Sequence, residues 1–377
     1  MIRFVTRVLA IAGKEVLHVR RDVRTLYLAL GMPVVLLVLF GYGVSFDLGE
    51  IPILVVDQDD TEASRALVQR MTAAGEMIEV ARVSDPSEVA ARFERGEGSA
   101  ALIVPRGFAR DLGAGRPTSV QLLVDGSDNA TATQVIAKAD ALLASAGAAL
   151  TIGALRSPGA ATPPIEARVT TWFNPGGRSA LFLVPGLTAY VLAIVAVLLT
   201  ALTIAREWER GSMQQLFATP VSRVEIVIGK LLPYLALGVV AALLVLASGA
   251  WLFDVPMRGD PAVLALASLL FLLGMLGQGL LISVIARNQM VATQVATMSS
   301  MLPSMLLSGF MFPIENMPLP LQAISSVVPA RYFVDALRGV LLRGNGAAEL
   351  WRDLVALAVF AIAVLALATL RFRRQLA

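Results

Sequence analysis

The sequence predicts an α-helical integral membrane protein with six transmembrane helices, an N-terminal amphipathic interfacial helix and a large extracytoplasmic α/β domain between spans one and two. Three observations support this fold class. Of 377 residues, 56% are hydrophobic and only 16% are charged, whereas a soluble domain carries roughly 25% charged residues. Several apolar runs are long enough to cross a bilayer, for which about 20 residues suffice. Lys and Arg concentrate in the short flanks on one side of these runs.

Residues 1–24 are predicted to form an amphipathic helix on the cytoplasmic face. Arg3, Arg7 and Lys14 lie off an apolar stripe that recurs at three- and four-residue steps. A helix of this kind lies in the membrane interface with its basic residues towards the headgroups of membrane lipids. The stripe comprises Ile2, Val5, Leu9, Ala12, Val16, Val19 and Val23.

Six apolar runs are predicted to span the membrane. They comprise residues 26–46, 179–205, 231–253, 262–286, 290–312 and 354–370. Basic residues cluster before the first run, in the loop 206–230 and after residue 370. Because short cytoplasmic flanks are enriched in Lys and Arg, we expect both termini in the cytoplasm.

Residues 47–178 are then extracytoplasmic and have a soluble composition. Short β-rich runs alternate with amphipathic helices, which predicts an α/β module with a mixed or partly parallel sheet. A Pro-rich linker at 157–164 returns the chain to the membrane. Strands are predicted at 51–56, 77–82, 100–104 and 120–124, and helices at 61–74, 85–95 and 129–155.

The acidic run from Asp57 to Asp60 allows two interpretations. Its carboxylates could hold a metal ion, or the run could be a turn at a strand end that leads into a helix capped by Asp60 or Thr61. The second interpretation is favoured, because a cap needs nothing beyond these residues.

The segment 206–220 has the composition of a helix, although it connects two spans. Glu207 and Glu209 stand near its start, where negative charge favours a helix N-terminus, and Thr219-Pro220 would end it. A connecting loop needs only a few polar residues. We therefore predict an interaction element held at a fixed height above the membrane.

Several function classes are excluded by what the sequence lacks. No ionisable residue lies well inside a predicted span, which argues against a proton- or sodium-driven carrier. Gly13-Lys14 and Gly229-Lys230 are not followed by Ser or Thr, so neither is a phosphate-binding loop. The chain has no cysteine, which excludes a thiolate metal site, and a single histidine, His18, which excludes a multi-histidine metal site. Because His18 is expected at the cytoplasmic surface, a Ser-His-Asp triad cannot form either. We expect no enzyme activity and no metal site in this chain.

Span five is the most polar of the six. Its side chains suit either close helix packing in lipid or the lining of a substrate path, since Met adapts to varied apolar ligands. A dimer interface that encloses the path would serve both roles. The residues assigned to the substrate path or dimer interface are Thr293, Gln294, Thr297, Met298, Met301, Met305 and Ser308.

After span five, Pro313 and Pro318 break the helix, and the apolar stretch that follows is too short to cross. Residues 313–350 are predicted to form a re-entrant or interfacial hairpin on the outer face, with Tyr332 at headgroup level. Glu315, Arg331 and Tyr332 are candidate residues of an outer gate.

A series of motifs along nearly the whole chain resembles the permease (transmembrane) subunit of type-2 ABC exporters, in the bacterial multidrug-efflux-like branch. The segment 206–220 and the run 308–318 carry the strongest resemblance. The motifs are Lys14-Glu15 and residues 21–26, 39–42, 55–57, 123–127, 174–175, 184–187, 206–220, 225–231 and 308–318.

The resemblance implies a permease of the bacterial cytoplasmic (inner) membrane that works with an ABC ATPase on a separate chain. ATP and magnesium would be bound by that ATPase, and no cofactor or nucleic acid by this chain. A second permease copy or a close relative would complete a homo- or heterodimer. In the branch of the family that has a periplasmic adaptor, the external α/β domain would bind it. The implied substrate is amphiphilic: a drug-like compound, a lipid or a metabolite.

The segment 206–220 would be the coupling helix that sits in a groove of the ATPase. Family members often have a basic residue where Trp208 stands, so the contact there is open. The residues that the resemblance assigns to ATPase coupling are Arg206, Glu207, Glu209, Arg210, Met213, Gln214, Leu216, Phe217, Thr219 and Pro220. The alternative function is a membrane-anchored receptor or assembly scaffold with a ligand-sensing external domain.

Overall fold

A computed structural model describes residues 2–43, 51–73, 75, 77–116, 118–125, 135–136, 138–140, 142–143, 179–213 and 220–372. The chain divides into two compact units, one formed by Met1–Val44 with Gly176–Ala377 and the other by Ser45–Pro175. The first is a helical unit and the second contains the only sheet among the described residues.

The helices and strands are as follows in chain order. The N-terminal part contains α1 (Ile2–Arg21), α2 (Val23–Leu26), a π-helical turn at Tyr27–Gly31 and α3 (Met32–Gly43). The middle part contains β1 (Ile51–Asp57), α4 (Glu62–Ala73), β2 (Met77–Arg82), α5 (Glu88–Glu94), β3 (Ala100–Val104), α6 (Phe108–Gly113) and β4 (Gln121–Val124). The remainder contains α7 (Ser179–Glu209), α8 (Arg223–Phe253), α9 (Pro261–Ala286), α10 (Gln289–Leu306), a 3-10 turn at Ile314–Asn316, α11 (Leu319–Ser325), α12 (Pro329–Arg338), a π-helical turn at Gly339–Arg343 and α13 (Trp351–Arg371).

The α/β unit has a four-stranded sheet in the order β2-β1-β3-β4. β1 pairs in parallel with β2 and with β3, whereas β4 runs antiparallel to β3. Both faces of the two central strands are buried, in separate apolar clusters, which explains why these strands read as continuous apolar runs in the sequence. The predicted mixed sheet is confirmed.

The predicted strands and the helices at 61–74 and 85–95 agree with the observed elements to within a few residues. The short helix α6 was not predicted. Most of the predicted helix 129–155, and the whole linker 157–164, lie outside the described residues, although the described positions between 135 and 143 are helical.

The acidic turn after β1 is a hydrogen-bonded connector. Asp59 accepts bonds from the backbone amides of Gly107 and Ala109, at 2.7 and 2.9 Å, and from the Thr61 hydroxyl. The bonds to its carboxylate, that from Ala109 foremost, hold the pKa of Asp59 below its usual range. Thr61 Oγ1 accepts from the Ser64 amide and so caps α4. These contacts fit the turn-and-cap interpretation.

Four of the described helices are long and apolar enough to cross a membrane: α7, α8, α9 and α13. The helix from Tyr27 to Gly43 is apolar but shorter. The predicted fifth span, 290–312, is helical only as far as Leu306. The chain is therefore a mostly helical, multi-pass membrane protein, and the count of six spans stays a prediction.

The N-terminal stripe faces outward from the helical unit. Four residues of the predicted stripe are exposed, namely Val5, Leu9, Val16 and Val23, whereas Val19 is buried. The face of α1 that packs on α8 instead contains Val8 and Glu15. The amphipathic period of the helix was predicted correctly, but the sequence alone did not reveal that a second face is buried by protein.

α7 is the central helix of the helical unit, and α9 packs against it without a gap. Gly279 is required at this contact, because a Cβ there would overlap the carbonyl oxygen of Val197. Nearby, the Thr200 hydroxyl donates to the Leu276 carbonyl at 2.7 Å. The Ser283 hydroxyl accepts from the amides of Ile204 and Ala205, at 3.0 and 2.9 Å. Small and hydroxylated residues at such positions allow close helix packing in lipid, so α7 and α9 form a tight pair.

We predict that Gly279→Ala destabilises the protein by about 1–3 kcal/mol, because the added methyl group forces these two backbones apart. Thermal unfolding of the detergent-purified protein, followed by loss of the monodisperse chromatographic peak, would measure the effect. Gly13→Ala in α1 is the matched control, since a Cβ there meets nothing within 4 Å. Equal melting temperatures of the two variants would contradict the close approach.

Candidate functional site

A buried charge cluster joins α1, the end of α7 and the start of α8. The ammonium of Lys230, in α8, lies 2.7 Å from Glu15 Oε1 and 2.9 Å from Glu207 Oε2. The Lys230 side chain is only 2% exposed. One ammonium group thus holds together three helices, and Glu15 is 215 residues away from Lys230 in sequence.

Two more side chains complete the charge cluster. Lys14 Nζ lies 2.8 Å from Glu207 Oε1, and the Tyr234 hydroxyl donates to Glu15 Oε2 at 3.2 Å. Although burial disfavours its charge, the Glu207 carboxylate raises the pKa of Lys14 above its ordinary value. Two ammonium groups therefore balance two carboxylates, which is what burial of charge requires.

Local sequence explains why these groups meet. A capping box between Ser222 and Glu225 begins α8 at a defined residue. At Gly229 the helix α1 crosses closely, since a Cβ there would lie 2.8 Å from Ile11 Cβ. Lys230 is adjacent to this crossing, and Glu15 lies one turn beyond Ile11 on α1. The glycine therefore lets the two helices approach, and the charges meet beside it.

The predicted start of a helix at residue 206 is wrong, although Ser212 and Met213 beyond Gly211 are helical. Arg206–Glu209 form the last turn of α7, which ends before Gly211 in a left-handed conformation at φ 69°. Glu207 and Glu209 therefore lie at a helix C-terminus, and not at an N-terminus. Ion pairing offsets the unfavourable interaction of Glu207 with the carbonyl end of the helix. The glycine was a visible stop signal.

Two residues predicted to face a partner are turned inward. The Glu207 side chain is 13% exposed and belongs to the charge cluster. Met213 is 1% exposed and packs in an apolar cluster with Ile204, Ile226 and Leu280. Both were assigned to partner contacts because the sequence showed them in a connecting segment, which does not reveal burial.

The other residues of the segment are distributed as follows. Arg206 approaches Asp22 at 3.8 Å, and Glu209 binds Gln289. Arg210 and Pro220 are exposed. Gln214, Leu216, Phe217 and Thr219 lie outside the described residues.

Two adjoining cavities open beside the charge cluster. The first, of about 310 Å³, is lined by polar residues that include His18, Asp22 and Arg210. The second, of about 280 Å³, is lined mainly by apolar residues of the helix from Tyr27 to Gly43 and of α7. Four residues border both cavities: Thr25, Thr203, Arg206 and Tyr234. A cavity bordered mostly by polar residues thus adjoins one bordered mainly by apolar residues.

The residues predicted for the substrate path do not form one lining. Thr293 borders the apolar cavity, and Met305 borders a smaller apolar cavity with Phe310. Ser308 is buried and bonds within its own segment. The hydroxyls of Thr293 and Thr297 bond to carbonyls one turn back, at Gln289 and Thr293. Gln294, Met298 and Met301 lie on an exposed face of α10.

The candidate outer-gate residues lie in the turn Ile314–Asn316 and in α12, but Glu315 and Arg331 do not pair. Arg331 approaches Ser325 Oγ at 3.4 Å, and the Tyr332 hydroxyl donates to the Ser326 carbonyl at 2.6 Å. Sequence reasoning missed Arg338, whose guanidinium donates to the Gly309 carbonyl at 3.0 Å and lies over the Phe182 ring at 4.0 Å. Arg338 thereby links α12 to α7 and to the chain after α10.

Within the described part of the chain, no three His, Cys, Asp or Glu side chains come together as metal ligands would. Sequence reasoning also missed Lys230 and Tyr234 as members of a site. Their i, i+4 spacing at the start of an apolar helix was a usable signal, because it places both on one face.

We predict that Lys230→Met destabilises the protein by about 3–5 kcal/mol, since it leaves two buried carboxylates without their shared counter-ion. Lys14→Met, which removes a side chain 52% exposed, should cost less than about 1 kcal/mol. Thermal melts of both purified variants in one detergent would compare them. A variant that combines Lys230→Met with Glu15→Gln should recover part of the loss. Equal melts for Lys230→Met and Lys14→Met would contradict this description of the cluster.

Comparison with known proteins covers nearly the whole chain. Residues 23–370 match the family model described as "ABC-2 family transporter protein". The "Probable multidrug ABC transporter permease YbhS" of Escherichia coli K12 is 34% identical over 373 residues, which cover 98% of this chain and 97% of the relative. The similarly named YbhR of the same strain is 27% identical, covering 98% and 99%. The "Linearmycin resistance permease protein LnrN" of Bacillus subtilis 168 is 24% identical, covering 90% and 92%.

Proposed function

The chain belongs to the ABC-2 transporter family, and on that basis we propose that it is the membrane-spanning permease subunit of an ATP-driven exporter. In this proposal, a separate ABC ATPase chain binds ATP and magnesium and hydrolyses the nucleotide. The permease conducts the substrate outward across the cytoplasmic (inner) membrane of a bacterium. Family membership favours this role over a receptor or assembly scaffold.

The connection between α7 and α8 is the observation that carries the proposal. Both ends of the segment 206–220 are fixed to the helical unit, by Glu207 in the charge cluster at one end and by the Ser222 cap of α8 at the other. Arg210 and Pro220 are exposed between these anchors. We assign docking on the ATPase to Arg210, Leu216 and Phe217, and we assign anchoring to Glu207 and Met213. A force applied to a segment fixed in this way is passed to α1, α7 and α8 together.

The adjoining cavities support an amphiphilic substrate. A molecule with a polar head and an apolar body could place its head beside His18 and Arg210 and its body between α7 and the helix from Tyr27 to Gly43. The first cavity is bordered mostly by polar and charged residues and the second mainly by apolar ones, so the two together match such a molecule.

A second permease copy, or a close relative, would cover the exposed face of α10. Gln294, Met298 and Met301 recur at steps of four and three residues, so they share one face of the helix. Met adapts its shape to varied surfaces, and this face mixes it with polar groups. We propose that the face contributes to the dimer contact and borders the path enclosed by the dimer.

The orientation of the chain in the membrane follows from its basic flanks and from α1. The charge cluster and α1 lie with the basic N-terminal flank, which we place in the cytoplasm with both termini. The outward-facing stripe of Val5, Leu9 and Val16 would then enter the lipid interface. The α/β unit would lie in the extracytoplasmic space, where a periplasmic adaptor could bind it.

The proposal is tested by purifying the tagged chain from its native host in mild detergent and identifying the proteins that co-purify. An ABC ATPase with nucleotide-binding motifs should be present in stoichiometric amounts. A periplasmic adaptor or a related permease would extend the assembly. Recovery of the chain without an ATPase, even after crosslinking, would contradict the proposal and favour the receptor or scaffold alternative.

We predict that Phe217→Asp lowers ATPase recovery by about tenfold, because aromatic residues dominate the binding energy of interfaces. Arg210→Glu should also reduce it, whereas the matched control Arg223→Glu, an exposed arginine outside the segment, should not. Quantitative blotting of the co-purified ATPase against the permease measures both effects. Unchanged recovery for Phe217→Asp and Arg210→Glu, at equal membrane levels, would show that the segment is not the docking site.

A further inference from the structure

The end of α7 is joined to the start of α10 by Glu209. Its Oε1 accepts from the Gln289 backbone amide at 2.8 Å, and its Oε2 accepts from the Gln289 side-chain amide. Glu209 and Gln289 are 80 residues apart in sequence. Glu209 is exposed and Gln289 is half-buried, so water reaches the carboxylate of this link, unlike the buried charge cluster.

A second contact joins the same two regions. The guanidinium of Arg287 lies over the Trp208 ring, 4.6 Å from its centroid, in cation–π geometry. Arg287 occupies the left-handed region at φ 51°, where α9 ends and the chain turns into α10.

These contacts reach the beginning of the helix that carries the candidate path residues. Gln289 is the first residue of α10, and Asn288 caps the helix by accepting from the Val291 amide at 3.0 Å. A carboxylate is favoured at a helix N-terminus because it faces free amides. Glu209 therefore provides a negative charge at the N-terminus of α10, the end nearest to the segment 206–220, which is called the coupling segment below. Thr293 and Thr297 follow on the same helix.

We infer that Glu209 and Trp208 are positioning residues that transmit displacement of the segment 206–220 to α10. The inference rests on the proposed function, in which that segment docks on the ATPase. The tight pairing of α7 with α9 through Gly279 and Ser283 keeps the α9–α10 turn beside the end of α7. A shift at residue 210 is thereby delivered to the first turn of α10 through two side-chain contacts, and the exposed face of α10 moves with it.

The absence of cysteine in this chain permits a direct test. Thr297→Cys places one thiol in the middle of α10 with little change in size. The co-purified complex with its ATPase would be reconstituted in nanodiscs, and the rate of maleimide labelling would be measured without nucleotide and with ATP, magnesium and vanadate. In parallel, ATP hydrolysis and ATPase recovery would be recorded for each variant.

Trapping with vanadate should change the labelling rate of Thr297→Cys by about fivefold, within the range of coupling between distant sites. Adding Glu209→Ala with Arg287→Ala should reduce this change to less than about twofold, while ATPase recovery and hydrolysis stay near their original values. Glu209→Gln should retain most of the response, because its carbonyl oxygen still accepts from the Gln289 amide. Arg223→Ala is the control for loss of an exposed arginine.

A full labelling response in the double-alanine variant would overturn the inference. Loss of ATPase recovery in that variant would also overturn it, since the two residues would then act in docking and not in transmission. Failure of the unmodified complex to recover any ATPase would instead contradict the proposed function, and the two failures are thus distinguished.

Discussion

The Lys230 ammonium is the interaction on which the organisation of the helical unit depends. A buried ammonium is stable only with compensating charge. Its two carboxylates come from α1, which lies far from α8 in sequence, and from the end of α7, the helix before α8. α1 is bound to the bundle through Glu15, and the end of α7 through Glu207. If the lysine is charged and buried, the positions of α1 and of the coupling segment follow from it.

This constraint explains why the end of α7 is a continuous part of the central helix. A free charged helix on the membrane surface could move without moving the bundle. In this chain the last turn of α7 is tied to α1 and α8 by ion pairs and to α10 by Glu209. Arg210, which is exposed and is proposed to dock on the ATPase, is therefore only three positions away from the anchor Glu207.

Much of the fold was predictable from the sequence because it depends on local pattern. Apolar runs gave the long helices, and alternation of β-rich runs with helices gave the strands of the mixed sheet, including β1 and β3. The charge cluster was not predictable in the same way, because Glu15, Glu207 and Lys230 look like ordinary flanking charges. Their burial results from the crossing of α1 over Gly229, which is a tertiary contact. The start of the segment 206–220 was misplaced for a different reason: its acidic residues suggested a helix N-terminus, although Gly211 was a local signal of a C-terminus.

The two kinds of contact at the end of α7 differ in what they can contribute to a transport cycle. Breaking the buried cluster would expose uncompensated charge to a low-dielectric interior, at a cost of several kcal/mol, so it is suited to holding α1, α7 and α8 as one body. The contacts that the exposed side chains of Glu209 and Arg287 make cost little to break, since surface charge interactions are typically worth about 1 kcal/mol or less. The proposed ATP-driven cycle needs both a rigid lever and a contact that can change. The segment 206–220 begins at the residues where these two requirements meet, with the buried cluster towards α1 and α8 and the exposed carboxylate of Glu209 towards α10.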